Sequence, residues 1–264
     1  MTSLRVALLQ GPAGTPGSGR DCLAALDDAA RRAAAAGARL LVTPELSLTG
    51  YALGDGVAAA AEAADGPSPR AAARIASRHG VAVVYGYPER HGEAVHNSAA
   101  LVGPDGKTLA GYRKTHLYGG YERAHYTPGD QLVAQADLEG VRVGLLVCYD
   151  VEFPETVRAH ALAGTELLVV PTALMRPYDI VAETLVPARA WENQLYIAYA
   201  NRTGREGEFD FAGLSRLAAP DGSVPARAGR GEELLVAEVD TGRLPASREQ
   251  NPYLTDRRPG LYTA

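Results

Sequence analysis

The chain has 264 residues, 46% of them hydrophobic, which suits one large domain, or two small ones, with a full core. A formal net charge of −5 without a basic tract argues against nucleic acid or anionic membrane surfaces as partners. Two distant cysteines exclude a disulfide framework and fit a reducing compartment, so a cytoplasmic protein is expected.

In chain order, residues 4–10 read as a first strand, entered without the basic and long apolar stretch of a targeting segment. Residues 11–19 read as a flexible loop rich in glycine and proline, lacking either glycine pattern that cradles phosphate. Ser18 and Asp21 make a capping box for a helix through Ala36, which Gly37 ends; Cys22, Leu26, Ala29 and Ala33 share its packing face. Residues 39–45 form a short apolar strand ending on Glu45. Ser68-Pro69 starts a second helix with Ala72, Ile75, Ala76 and His79 on one face, terminated by Gly80. A buried strand follows at 81–86, and 96–102 and 108–113 make a hairpin about Pro104-Asp105-Gly106-Lys107.

Residues 141–147 form the strand that carries Cys148, a helix runs from about Pro154 to Leu162, and 166–170 form another strand. Residues 179–194 are helical, with Pro187 kinking the helix or opening a second segment. A strand at 195–200 comes next. A last hairpin is expected to join 211–218 to 233–239 through Pro220-Asp221-Gly222-Ser223, and the tail after Asp240 has little regular pattern. The chain is therefore α/β, read as a single domain over 1–264 with its core at about 4–240 and a tail at 241–264. The pattern alone fits an open doubly wound sheet as well as two helix-covered sheets. No run approaches the ~18 apolar residues of a membrane span. The six histidines show no metal-ligand spacing, so neither metal nor cofactor is expected.

Three polar residues at the ends of apolar runs change the reading. Cys148 sits at a strand-to-helix elbow, where unpaired backbone N–H groups can help hold an anion. A lone cysteine there is more often core packing. Glu45, followed by Leu46 and Leu48, is placed for partial burial, which raises a carboxylate pKa and makes it a base usable near neutrality. Lys114, on the returning strand of the first hairpin, would on its own be read as solvated.

Together Glu45 in Pro-Glu-Leu, Lys114 in Tyr-Arg-Lys-Thr-His-Leu and Cys148 in Cys-Tyr-Asp-Val-Glu-Phe-Pro-Glu resemble the triad of the nitrilase, or carbon–nitrogen hydrolase, superfamily. Glu122, eight residues after the lysine, matches a fourth family position, and the resemblance runs to about residue 240. It implies a four-layer α-β-β-α sandwich that pairs into homodimers or larger assemblies. It also implies hydrolysis of a small-molecule amide through a cysteine thioester. In that scheme Lys114 favours the thiolate and Glu45 takes its proton. The developing anion is held by Lys114 and the Tyr149 backbone N–H, while Glu122 orients Lys114 or the amide.

Glu152, four residues after the nucleophile, stands where relatives acting on carboxylate-bearing substrates often carry arginine, a good bidentate partner for a carboxylate. A glutamate there attracts an ammonium or guanidinium, unless it turns away into a structural salt bridge. Residues 84–90, 148–155, 189–194 and 252–256 look like those of the family's 5-aminopentanamidase branch, which implies cationic amides such as 5-aminopentanamide or 4-guanidinobutanamide. Tyr51, Tyr121 and Phe211 are candidate pocket-lining residues. Asp150, Glu155, Arg189, Glu192 and Asn201 look like braces for the elbow and helices. The alternatives are N-carbamoylputrescine hydrolysis, a strict nitrilase, or a catalytically silent scaffold on the same fold. A serine hydrolase is disfavoured because no Gly-x-Ser-x-Gly elbow occurs.

Overall fold

The chain supplies fourteen strands among the described residues: β1 (Ser3–Gln10), β2 (Leu40–Val42), β3 (Ala82–His91), β4 (Ala94–Val102), β5 (Thr108–Arg113), β6 (Ala134–Leu138), β7 (Val141–Leu145), β8 (Leu167–Thr172), β9 (Tyr196–Asn201), β10 (Thr203–Glu206), β11 (Phe209–Ala212), β12 (Arg216–Ala218), β13 (Ala226–Arg227) and β14 (Glu233–Asp240). This computed structural model describes residues 3–12 and 17–262. The centre of the expected glycine-proline loop, residues 13–16, lies outside the described residues.

Period-2 alternation builds the first sheet, in the order β14-β1-β2-β3-β4-β5. Leu4, Val6 and Leu8 of β1, with Leu40 and Val42 of β2, join a core shared with Val143, Leu145, Val169 and Ala198 of the second sheet. The intervening Ala7 and Leu41 turn the other way, onto Leu26, Ala29, Ala30 and Ala33 of α1 (Gly19–Ala35). β1, β2 and β3 are parallel, and β4, β5 and β14 run antiparallel to their neighbours. The second sheet repeats the plan in the order β13-β12-β9-β8-β7-β6, with β7, β8 and β9 parallel.

Helices cover the outer faces. A short turn, α2 (Val57–Ala60), precedes α3 (Pro67–His79), which packs beside α1 through Ala72, Ile75 and Ala76; His79 reaches Asp27 of α1 at 2.9 Å. The Ser18 hydroxyl accepts the Asp21 N–H to start α1, and Gly80 closes α3 with φ +62°. After α4 (Gly119–His125), helices α5 (Pro154–Leu162) and α6 (Val186–Asn193) lay Val157, Ala161, Val186 and Ala190 on the second sheet. Pro187 opens α6 after a π turn at Val181–Leu185, so the segment does divide there. The result is the four-layer α-β-β-α sandwich.

Two expectations are corrected. β14 does not pair with β12. It crosses to the first sheet and pairs antiparallel with β1, Ser3 opposite Asp240, while the turn at Asp221–Ser223 leads only to two-residue β13. Alternation identifies a strand and its buried face but not its partner. The tail is also more regular than expected, folding as α7 (Leu244–Gln250) and α8 (Tyr253–Asp256), with the Trp191 ring N–H donating to the Tyr253 hydroxyl at 3.1 Å. Among the described residues no helix is long and apolar enough to cross a membrane.

Candidate active site

The carboxyl ends of β2, β5 and β7 deliver side chains to one place, at the end of the sheets where α/β folds commonly bind their ligands. Pro44 lacks the N–H that would extend β2, so the chain leaves the sheet at once and presents Glu45. Leu46 then turns with φ +52°. Gly86 of β3 permits the turn, because a Cβ there would come within 2.4 Å of the Leu46 nitrogen. Lys114 follows β5, its N–H donating to the Asn97 carbonyl and its own carbonyl accepting from Gly129, both at 2.8 Å. Cys148 follows β7 with φ +48° and opens a 3₁₀ turn over Cys148–Glu152.

Lys114 is wholly buried, and its ammonium lies between two carboxylates. Nζ donates to Glu45 Oε1 and to Glu122 Oε1, each at 2.7 Å. Asn97 donates to the same Glu45 oxygen at 2.6 Å, while Glu45 Oε2 is buried without a hydrogen bond. Glu122 also accepts the Tyr51 hydroxyl at 2.9 Å and the Tyr118 N–H at 2.7 Å. Burial pushes the Glu45 pKa up, and the charge of Glu122 adds to this against the pull of Lys114. Burial alone would discharge Lys114, but Glu122 and Glu45 outweigh it and hold the ammonium well above its ordinary pKa.

Cys148 is electrostatically coupled to Glu45, Lys114 and Glu122, and the Ala173 N–H points at its sulfur. Burial and the Glu45 charge push the thiol well above its usual range despite Lys114. These directions favour the protonated thiol, with the pull of Lys114 toward the thiolate outweighed by burial and Glu45. An arrangement of this kind can remove the thiol proton during attack, with the free Glu45 oxygen as acceptor.

The sulfur opens onto a cavity of about 220 Å³ lined by Cys148, Tyr149, Glu152, Tyr118, Met175 and Tyr178, together with Ala173, Leu174 and Val181. Glu152 faces this space and has no ion pair among the described residues. Burial raises its pKa, with weaker opposing pulls from Lys114 and Arg189. Tyr51 and Tyr121, expected to touch substrate, do not line the cavity. Tyr51 is 2% exposed and backs Glu122, while the Tyr121 hydroxyl donates to the Tyr51 carbonyl and accepts from the Gly54 N–H. Phe211 is fully buried beside Tyr51.

Asp150 ties the elbow to the lysine segment: Oδ1 accepts from the Thr115 hydroxyl and the His116 N–H, and Oδ2 from the Val147 N–H. Arg189 donates to the Val151 and Glu152 carbonyls and pairs with Glu192 at 3.0 Å; Asn201 caps Leu174. Glu155 is exposed and braces nothing among the described residues. Sequence reasoning missed Asn97 and Arg202. Both carried a signal, Asn97 in a polar triplet within an apolar strand and Arg202 in a polar run at a strand end.

Residues 5–249 match the sequence profile of the carbon-nitrogen hydrolase family. A protein from Pseudomonas protegens described as "Hydrolase in pqqF 5'region" is 48% identical over 227 residues, covering 85% of this chain and 80% of that one. An (R)-stereoselective amidase from Pseudomonas sp. is 43% identical over 220 residues, covering 83% and 79%. The crystal structure of an amidase from Nesterenkonia sp. superposes with a TM-score of 0.90 at 39% identity, covering 98% of this chain and 95% of that one. Other structures of that amidase carry the acetamide moiety of fluoroacetamide covalently added at the active-site cysteine, or butyramide in a cysteine-to-alanine variant.

Proposed function

The chain belongs to the carbon–nitrogen hydrolase family, and on that premise we propose that it hydrolyses the primary amide of a small cationic aliphatic substrate, an ω-amino or guanidino amide, to the carboxylic acid and ammonia. Relatives that are amidases support the reaction class. The observation that carries the substrate class is the Glu152 carboxylate, unpaired among the described residues and facing a cavity of only about 220 Å³ that also holds the Cys148 sulfur.

In the proposed mechanism Cys148 Sγ bonds to the amide carbon as Glu45 accepts the thiol proton. Lys114 has spent two of its three N–H donors on glutamates, which leaves one for the oxyanion, with the Tyr149 N–H as a second donor. The C–N bond breaks as Glu45 returns its proton to the departing ammonia, leaving a thioester. Glu45 then removes a proton from water as the hydroxide adds. The carboxylic acid leaves, and the proton passes from Glu45 to the thiolate.

The pH profile follows from the directions of the shifts. Glu45 must be ionised in the free enzyme and its pKa is raised, so the acid limb of kcat/KM should lie above the usual carboxylate range. Cys148 and Lys114 must stay protonated and both are raised, so the alkaline limb should lie well above neutrality. A profile falling from pH ~7 upward would contradict this assignment.

Ammonia release from 5-aminopentanamide, 4-guanidinobutanamide, butyramide and an acidic amide tests the substrate class. The cationic amides should lead. Glu152→Gln should cost roughly 1.5–3 kcal/mol in kcat/KM for them, the worth of a charged hydrogen bond, and leave butyramide unchanged. Faster turnover of butyramide or of the acidic amide by the wild-type enzyme would reject it. Carbon dioxide released from N-carbamoylputrescine would instead identify the carbamoyl reading.

A further inference from the structure

Glu45 and Lys114 extend from the first sheet and Cys148 from the second, so the seam between the sheets sets base against nucleophile. One fully buried arginine crosses that seam. Arg202, directly after β9, donates through Nε to the Glu45 carbonyl at 3.0 Å and through Nη2 to the Leu46 carbonyl at 2.8 Å. Its Nη1 donates to Glu206 Oε1. The second Glu206 oxygen accepts the Tyr51 N–H at 2.6 Å and the Ala52 N–H at 3.2 Å. Tyr51 in turn donates its hydroxyl to Glu122. The Thr172 carbonyl at the end of β8 receives both the Glu45 and the Arg202 N–H at 3.3 Å.

All three guanidinium nitrogens are used inside the protein, and Arg202 does not line the cavity. Burying such a charge is costly unless it is paired and hydrogen-bonded, and here each guanidinium nitrogen makes a bond, one of them to a carboxylate. The two carbonyls it grips belong to Glu45 and to Leu46, whose left-handed backbone is strained for a branched residue. A turn of that kind keeps its shape only when its surroundings over-determine it.

We propose that the Arg202–Glu206 pair is a positioning device that fixes Glu45 and Glu122 as one unit about Lys114 and sets that unit against Cys148. The inference rests on the reading of Glu45 as the base. The pair touches neither substrate nor reacting atoms. It acts through the backbone of residues 45–52 and through Tyr51.

Arg202→Met, Arg202→Lys and Glu206→Gln in the full chain test it, with butyramide hydrolysis, thermal melting and the rate of Cys148 alkylation by iodoacetamide as readouts. Assays are run well below each variant's Tm. Arg202→Met should lose roughly 10²-fold in kcat, the scale of an ångström-level misplacement, with KM little changed. Arg202→Lys, which keeps the cation, should recover part of that loss. Alkylation should slow in parallel as Glu45 loses the placement from which it accepts the thiol proton. An unchanged kcat and alkylation rate in a folded variant of lower Tm would make the pair merely structural and overturn the proposal, as would a raised KM with kcat intact. If Arg202→Met does not fold, Glu206→Gln is read by the same criteria. If the wild-type chain releases ammonia from no amide, the functional reading fails, and alkylation still decides the role of the pair.

Discussion

Replacing Lys114 with methionine is expected to lower kcat for amide hydrolysis by roughly 10²–10³-fold and to destabilise the fold by roughly 3–5 kcal/mol. The activity loss is that of one donor to the developing oxyanion. The stability loss comes from the two glutamates left behind. Lys114, Glu45 and Glu122 are almost wholly buried, and the ammonium bonds both carboxylates at 2.7 Å. Without it, two negative charges would face each other with only Asn97, Tyr51 and the Tyr118 N–H as donors. Like charges that close force a proton onto one of them.

The sign of the pH dependence follows. In the wild-type fold the Lys114 pKa is raised, so its stabilising contribution is present below its unfolded value and lost only as pH rises through the folded one. In the variant the remaining carboxylates would have folded pKa values above their unfolded ones, a penalty that grows as pH rises and is relieved as it falls. The stability deficit against wild type, measured by urea unfolding, should therefore shrink from pH ~8 to pH ~5. A deficit independent of pH, or absent, would mean that the lysine does not neutralise a buried pair.

Glu45 and Cys148 were legible because each follows an apolar run that becomes a buried strand, whereas Lys114 follows the mostly exposed β5 and was legible only in company with them. Polarity at the end of a buried strand is a physical signal, since leaving the sheet is what frees a side chain to face a ligand. The cavity wall was less legible. Tyr118, Met175 and Tyr178 come from segments between the principal elements, where no periodicity marks an inward face. Tyr51 and Tyr121 misled for a related reason. An aromatic residue near a site serves equally well as a wall or, through its hydroxyl, as a support, and here the hydroxyls are spent on Glu122 and on backbone groups. The crossing of β14 depends on a sheet edge open beside β1, which only the assembled fold defines.

Cys148→Ala should reduce turnover by roughly 10⁶-fold, the scale of losing a nucleophile outright, while leaving the cavity able to bind amide. Cys148 is 8% exposed and lines the cavity, so substrate can reach it, and the charged network behind it contains no other thiol. Retained ammonia release would disprove the assignment. A second substitution separates chemistry from strain. Cys148 holds φ +48° at the elbow, a left-handed conformation that costs roughly 1–2 kcal/mol for a residue with a Cβ. Alanine keeps that cost and glycine does not. Cys148→Gly should therefore be more stable than Cys148→Ala by about 1 kcal/mol, although both are inactive, because relief of the strain exceeds the extra chain entropy that glycine loses on folding. Equal stability, or a less stable glycine variant, would mean that the elbow carries no strain. The left-handed turn would then follow from the 3₁₀ segment over Cys148–Glu152 rather than being imposed to aim the sulfur.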